Sequence, residues 1–277
     1  MSQAEQITKS SKSNLAFAFI SLPRERRHDI TAFYAFCRRV DDTADDPGIS
    51  VAERRKWLHG WRTWIYKPGP GEPRFADEVR QIIEKYQIDR KLFEDILDGV
   101  EMDLEPVRFH TFAELSTYCY RVASAVGLVS IEIFGYQNAQ CHDYAYNLGL
   151  ALQLTNIIRD VDTDLRNGGR IYIPLDEIAR FGYSEASLLA RVYNDSFVNL
   201  MKYQADRARL FYREARRFLP NEDRRSMVAA EGMRAIYCEI LRRIEADQFR
   251  VFGRNYRLSG LKKAVIIFGQ IASNVFA

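Results

Sequence analysis

Asn156, Asp160 and Asp164 follow one another at four-residue intervals in LGLALQLTNIIRDVDTDLRNGGRIYIP, residues 148–174, with Gln153 three residues upstream. An α-helix turns about 100° per residue, so positions i, i+4 and i+8 stay within about 80° of one another. The three side chains therefore form one oxygen-bearing stripe. Leu152, Leu154, Ile157, Ile158 and Val161 lie between them and can bury much of the helix. Like charges one turn apart repel, and burying them unpaired costs several kcal/mol. A hard divalent cation resolves the conflict, because Mg²⁺ takes oxygen ligands and keeps water and substrate phosphates in its shell. The alternative is a solvated acidic face partnered by arginines.

A second stripe lies upstream. In RRVDDTADD, residues 38–46, Asp41 and Asp45 are one turn apart, as are Asp42 and Asp46. Ile30, Phe33, Tyr34, Cys37, Val40 and Ala44 give this segment helical periodicity, and Pro47-Gly48 stops it. Four aspartates at a helix C-terminus oppose the helix dipole, so the arrangement asks for an external cation. Two acidic stripes on separate helices, each beside an arginine (Arg38, Arg159), suit a diphosphate clamped through Mg²⁺.

These two stretches resemble the aspartate-rich motifs of the squalene/phytoene synthase family. The segment YCYRVASAVG, residues 118–127, resembles the family's third signature between them. The resemblance runs from Leu22-Pro23 to Lys262-Lys263. It implies a single-domain, all-α isoprenoid-synthase bundle around a central cavity, spanning residues 1–277 with residues 1–12 as a loose leader. It also implies head-to-head (1′-1) condensation of two prenyl diphosphates.

Carried over residue by residue, the resemblance makes Asp41, Asp45, Asn156, Asp160 and Asp164 the Mg²⁺ ligands, with Mn²⁺ as a substitute ion. Arg38 and Arg159 would bind diphosphate oxygens beside Gln153, and Arg170 and Tyr172 would cap the site. Ala123, Val126, Leu152 and Phe19 would wall an apolar tunnel. Small residues in 112–134 (Ala123, Ser124, Ala125, Gly127) suit either a tunnel or close helix packing; the resemblance favours the tunnel. Either Tyr118 or the released diphosphate would accept the proton. In this family a basic or hydroxyl residue near the N-terminus helps close the site, and Lys12 and Ser13 are the local candidates. A C-terminal arginine reaches diphosphate in relatives; here Asn255 occupies the matching place, flanked by Arg254 and Arg257.

The segment YCYRVASAVGLVSIEIFG looks most like the bacterial hopanoid-pathway presqualene diphosphate synthases, so farnesyl diphosphate is the expected substrate. Phe19, Phe33 and Phe36 are the expected tunnel-end rings. Phytoene synthase, a carotenoid-pathway enzyme using two C20 diphosphates, is the runner-up. Two other classes remain in view: a Mg²⁺-dependent prenyl-diphosphate phosphohydrolase and a non-catalytic helical scaffold. No GxGxxG follows a strand, so a Rossmann-type NADPH site is not expected, although squalene synthases bind NADPH without one.

The rest of the chain positions these motifs. With 277 residues, 47% hydrophobic and 28% charged, it reads as a globular protein with one helical core. A net charge of +3 is too mild to argue for nucleic acid. Cys37, Cys119, Cys141 and Cys238 show no metal or disulfide spacing, which points to reduced thiols in a cytoplasm. No apolar run is long enough to span a bilayer. Peripheral association with the inner membrane face is compatible with lipid substrates, and residues 261–272 are the candidate contact, otherwise a last helix packed on the body.

Helices are expected at 14–20, 24–46, 51–66, 75–86, 90–104, 112–134, 142–166, 195–219 and 227–252. Trp57, Trp61 and Trp64 share one face, as core. Asp95, Asp98, Glu101 and Asp103 are an acidic cluster of either catalytic or surface character. The arginines of 195–219 read as a solvated face.

Overall fold

The computed structural model describes residues 3–10 and 19–275. It contains α1 (Gln3–Ser10), α2 (Arg24–Asp45), α3 (Val51–Trp64), α4 (Ala76–Tyr86), α5 (Arg90–Met102) and α6 (Phe112–Cys119). A π-helical turn (Tyr120–Ser124) joins α6 to α7 (Ala125–Phe134). The remainder is α8 (Cys141–Arg166), α9 (Leu175–Arg180), α10 (Glu185–Leu189), α11 (Asp195–Phe218), α12 (Val228–Ala246) and α13 (Gly260–Val275). Among the described residues there is no strand; a single parallel bridge joins Arg108 and Ile171. The expected all-α bundle is present as a single helical domain.

Sequence signals set most boundaries. Ser50 opens α3 with a capping box completed by Glu53. Gly168 and Gly169, at φ +79° and +69°, adopt the left-handed backbone that ends the chain's run after α8. The core is continuous, and α8 sits at its centre, packed along α11, the π turn and α7. Trp61 and Trp64 are buried with ring centroids 5.6 Å apart, as core residues.

Three expectations are corrected, and a fourth falls largely outside the described residues. Residues 3–10 are helical and packed, not loose: Ala4 and Thr8 are buried, and the Thr8 hydroxyl reaches the Thr31 carbonyl of α2 at 3.4 Å. Lys12, Ser13 and most of the expected helix 14–20 lie outside the described residues, while Phe19–Ser21 form a 3₁₀ turn. The helix expected over 227–252 ends at Ala246, where Gln248 and Phe249 turn left-handed at φ +54° and +57°. Finally, α11 is not merely a solvated arginine face. Arg207 binds Glu177 and lies 3.8 Å over the Phe112 ring, and Arg209 binds Glu245 at 2.7 Å.

Two glycines let the π turn enter the bundle. A Cβ at Gly149 of α8 would lie 2.5 Å from the Ser124 Cα, and one at Gly99 of α5 would lie 2.7 Å from the Arg121 Cβ. The turn is wedged between α5 and α8, and it presents Val122 and Ala123 to the cavity. A π turn adds a residue to the ladder and commonly marks a functional site.

Candidate active site

Two chambers meet between α2 and α8. The polar one, about 300 Å³, is lined by Arg38, Asp41, Asp45, Asp103, Tyr118, Gln153, Asn156, Arg159, Asp160, Asp164, Arg170 and Tyr172, among others. The apolar one, about 370 Å³, is lined by Phe19, Phe33, Tyr34, Ala123, Val126, Gly127, Phe134, Leu152, Met233 and others. Arg38, Asp41, Val122, Gln153, Asn156 and Arg159 line both, so they form the shared wall. The two helices that carry the acidic stripes, α2 and α8, face each other across this space.

Asp103 organises the floor of the polar chamber. The Tyr118 hydroxyl donates to its Oδ2 and the Tyr172 hydroxyl to its Oδ1, each at 2.7 Å. The two phenol rings stack with centroids 5.2 Å apart. Arg170 donates to the Asp103 carbonyl at 2.8 Å and pairs with Asp45 of α2, also at 2.8 Å. Burial raises the Asp103 carboxyl even though both tyrosines and Arg170 favour its charge. Burial, then Asp103, pushes the Tyr118 phenol well above its ordinary value, so it stays protonated at neutral pH.

The acidic stripes carry the electrostatic strain that their spacing implies. Asp41 is exposed, but to the chambers it lines, and their walls restrict its hydration. That desolvation, with Asp45 one turn away, raises its carboxyl to about 7. Burial and Asp160 raise Asp164 to about 8. Asp160 is chelated by its neighbour Arg159, whose Nε donates to Oδ1 at 2.8 Å and whose guanidinium lies 5.9 Å from the Tyr237 ring. Arg38, on the shared wall, pairs with Asp42 at 2.5 Å, and both side chains are about half exposed.

Asn156 gives the clearest test of metal fit. Its amide nitrogen donates to Gln153 Oε1 at 3.2 Å, which leaves its carbonyl oxygen buried without a partner. An unmet buried acceptor beside two carboxyls raised by burial and neighbouring like charge is a donor set short of positive charge. Among the described residues no three His, Cys, Asp or Glu side chains converge to hold an ion alone. The acidic groups therefore form an open set rather than a closed cage, which suits a cation whose shell a diphosphate completes.

Of the residues expected at the site, Asp41, Asp45, Asn156, Asp160, Asp164, Arg38, Gln153, Arg159, Arg170, Tyr172, Tyr118, Ala123, Val126 and Gly127 line one chamber or both. Gly127 also serves close packing, since a Cβ there would lie 3.1 Å from the Ala145 carbonyl. Phe36 is a correction. It turns from the apolar chamber to stack edge-on with Trp61 at 4.8 Å and against Phe93 at 5.3 Å, while Phe33 does line the wall.

Neither chamber's lining includes Asn255, Arg254 or Arg257; Arg254 pairs with Asp247 at 2.5 Å. Of the acidic cluster on α5, Asp95 binds Lys91 and the Tyr120 hydroxyl, and Asp98 and Glu101 bind Arg62; only Asp103 joins the site. Two contributors went unread in the sequence. Arg54 of α3 donates to the Ala44 carbonyl at 2.6 Å, capping the acidic end of α2, and Tyr237 of α12 backs Arg159. Neither has a local sequence signal, because both act across the fold.

Residues 8–262 match the squalene/phytoene synthase family. The chain is 35% identical over 278 residues to a 15-cis-phytoene synthase from Synechocystis sp., covering 95% of this chain and 81% of that one. It is 34% identical to a phytoene synthase from Mycobacterium tuberculosis, covering 98% and 90%. The fold superposes on a dehydrosqualene synthase crystal structure with a TM-score of 0.85, at 26% identity, covering 99% and 96% of the two chains. A squalene synthase from Alicyclobacillus acidocaldarius shares the fold, with a TM-score of 0.74 at 24% identity over 90% and 94%. The chain belongs to the squalene/phytoene synthase family, and it is a prenyltransferase that joins prenyl diphosphates head to head.

Proposed function

We propose that this enzyme condenses two C20 prenyl diphosphates, geranylgeranyl diphosphate, to a C40 product at the phytoene level. The observation that carries the condensation is the shared wall, where a polar chamber rich in carboxylates opens on an apolar one at Asp41 and Asn156. The C20 choice is supported by the curated relatives at 34–35% identity, which are phytoene synthases.

Asp41, Asp45, Asn156, Asp160 and Asp164 would hold Mg²⁺, which supplies charge neutralisation to the departing diphosphate. Arg38 exchanges its exposed partner Asp42 for a diphosphate oxygen, and Arg159, fixed by Asp160 and Tyr237, presents a second guanidinium. Phe19, Ala123, Val126 and Leu152 keep water from the allylic cation. The second substrate adds through its C2–C3 double bond, and proton loss closes a cyclopropane that keeps one diphosphate; loss of that diphosphate, rearrangement of the cation and loss of a second proton give the C40 triene without a reductant. Tyr118, held as a neutral phenol that donates to Asp103, is poorly placed as the base, which leaves the proton to the released diphosphate.

A C15 reading has its own support. The aromatic rings of Phe33 and Tyr34 line the apolar chamber, and the fold is shared with a dehydrosqualene synthase at a TM-score of 0.85. Incubation with farnesyl or geranylgeranyl diphosphate, plus Mg²⁺, with and without NADPH, followed by product mass, decides. The expected result is a C40 product and a higher kcat/KM for the C20 substrate. Preference for the C15 substrate overturns the phytoene assignment. Free prenyl alcohol and phosphate would instead mark a phosphohydrolase.

A further inference from the structure

The outward face of α13 reverses the usual order of a surface helix. From Gly260 to Ala272 its exposed positions are Gly260, Leu261, Val265, Phe268, Gly269 and Ala272, and none is polar. Leu261, Val265 and Phe268 are 78%, 62% and 68% exposed and follow i, i+4, i+7 spacing, so they form one stripe. The opposite side is seated: Ile267 is buried, close to Gly232 of α12. The inner face of α12 in turn supplies Ala229, Ala230, Met233 and Tyr237 to the apolar chamber. One helix thus separates the exposed stripe from the space assigned to the prenyl tails.

The charge near the stripe is mostly positive: Asp247 pairs with Arg254 and Glu239 with Lys262, but the basic groups outnumber these two carboxylates. After Asp247 the chain carries Arg250, Arg254, Arg257, Lys262 and Lys263 and no acidic residue, more positive charge than the net +3 of the whole protein. Glu239 of α12 offsets only one charge of the three cations it gathers, Arg242, Arg243 and Lys262 at 2.7, 3.1 and 2.5 Å. We propose that α13 is a docking face for an anionic lipid bilayer. The helix lies in the interface with Leu261, Val265 and Phe268 in the acyl region and the basic groups at headgroup level. With 16 residues it is too short to cross the hydrocarbon core. A symmetric contact with a second copy would bring two such basic clusters together, whereas anionic headgroups complement them.

The test is flotation of the full chain with vesicles of equal parts phosphatidylglycerol and phosphatidylcholine, against vesicles of phosphatidylcholine alone. Wild type should bind the anionic vesicles about tenfold more tightly than the neutral ones, and high salt should remove the difference. Leu261→Ser with Val265→Ser and Phe268→Ser should weaken binding at least about tenfold, with helical content by circular dichroism retained. A single Phe268→Trp variant guards against misfolding of the triple one: its added emission, after subtraction of the wild-type spectrum, should shift to the blue on anionic vesicles. Wild type that fails to float, a triple variant that binds as well as wild type, or an added indole emission unmoved by lipid overturns the proposal. So does a triple variant that loses a dimer while lipid binding is unchanged, which would give the stripe to a second copy.

Discussion

Asp45 on α2 and Asp160 on α8 carry the same carboxylate toward the same chamber, and the chain holds them by different means. Asp160 is secured by the residue beside it, Arg159, within a 26-residue helix at the centre of the core. Asp45 sits in the last turn of α2 with a side chain 61% exposed, and its support comes from afar. Arg170 reaches it from beyond α8, and Arg54 of α3 caps the carbonyl one residue earlier. The second motif is thus built largely by its own helix, and the first is completed by tertiary contacts. The lower-stability half of a site is the half with fewer buried neighbours, so α2 is the side best able to adjust as substrate enters.

The largest expected effect treats both helices alike. Asp41→Ala and Asp160→Ala should each lower kcat/KM at least about a hundredfold while the fold persists, read by product formation and circular dichroism. If only the α8 variant loses activity, the two motifs are not equivalent in function.

Next comes a contrast within one motif. Asp162 lies between Asp160 and Asp164 but faces away, taking Arg166 at 2.7 Å, Arg191 at 2.6 Å and the Gly253 amide at 2.8 Å. Asp162 is buried, but Arg166 and Arg191 keep 62% and 36% of their side chains exposed, so Asp162→Asn weakens hydrogen bonds without stranding buried cations and should cost about 1–2 kcal/mol in denaturant unfolding. Activity per folded molecule should remain near wild type. A catalytic loss without a stability loss would put Asp162 in the chemistry.

The third measurement is pH dependence without metal. Asp41 and Asp164 are raised to about 7 and about 8 by burial and like charge, so the folded state binds more protons than the unfolded one above the ordinary carboxyl pKa. Their contribution to stability is full below about pH 4 and is lost as pH rises through about 7 and 8. Tm should therefore fall by a few degrees over that window, and Asp164→Asn should flatten the fall. A Tm that rises across the window in wild type would contradict the desolvated-carboxylate account.

Smallest of all is Asp42→Asn. The Arg38–Asp42 pair is about half exposed on both sides, so the expected stability change is under about 0.5 kcal/mol by the same denaturant measurement. A larger loss would mean that this half-exposed pair supports the first motif as firmly as α8 supports its own.

The sequence by itself determined most of the long helices and the two acidic stripes, while their meeting across one space was implied only by the family resemblance. Helical periodicity and stop signals are local, and the like-charge conflict follows from spacing alone. Asn156, Asp160 and Asp164 could be read together because one helix carries them. The fold alone decided what depends on neighbours distant in the chain. It made Asp103 the acceptor for two tyrosines, turned Phe36 to Trp61, and ended α12 at Ala246. It also kept Arg254 and Arg257 out of the chamber linings and left the apolar face of α13 outward. A period fixes which residues share a face; only packing decides what that face meets.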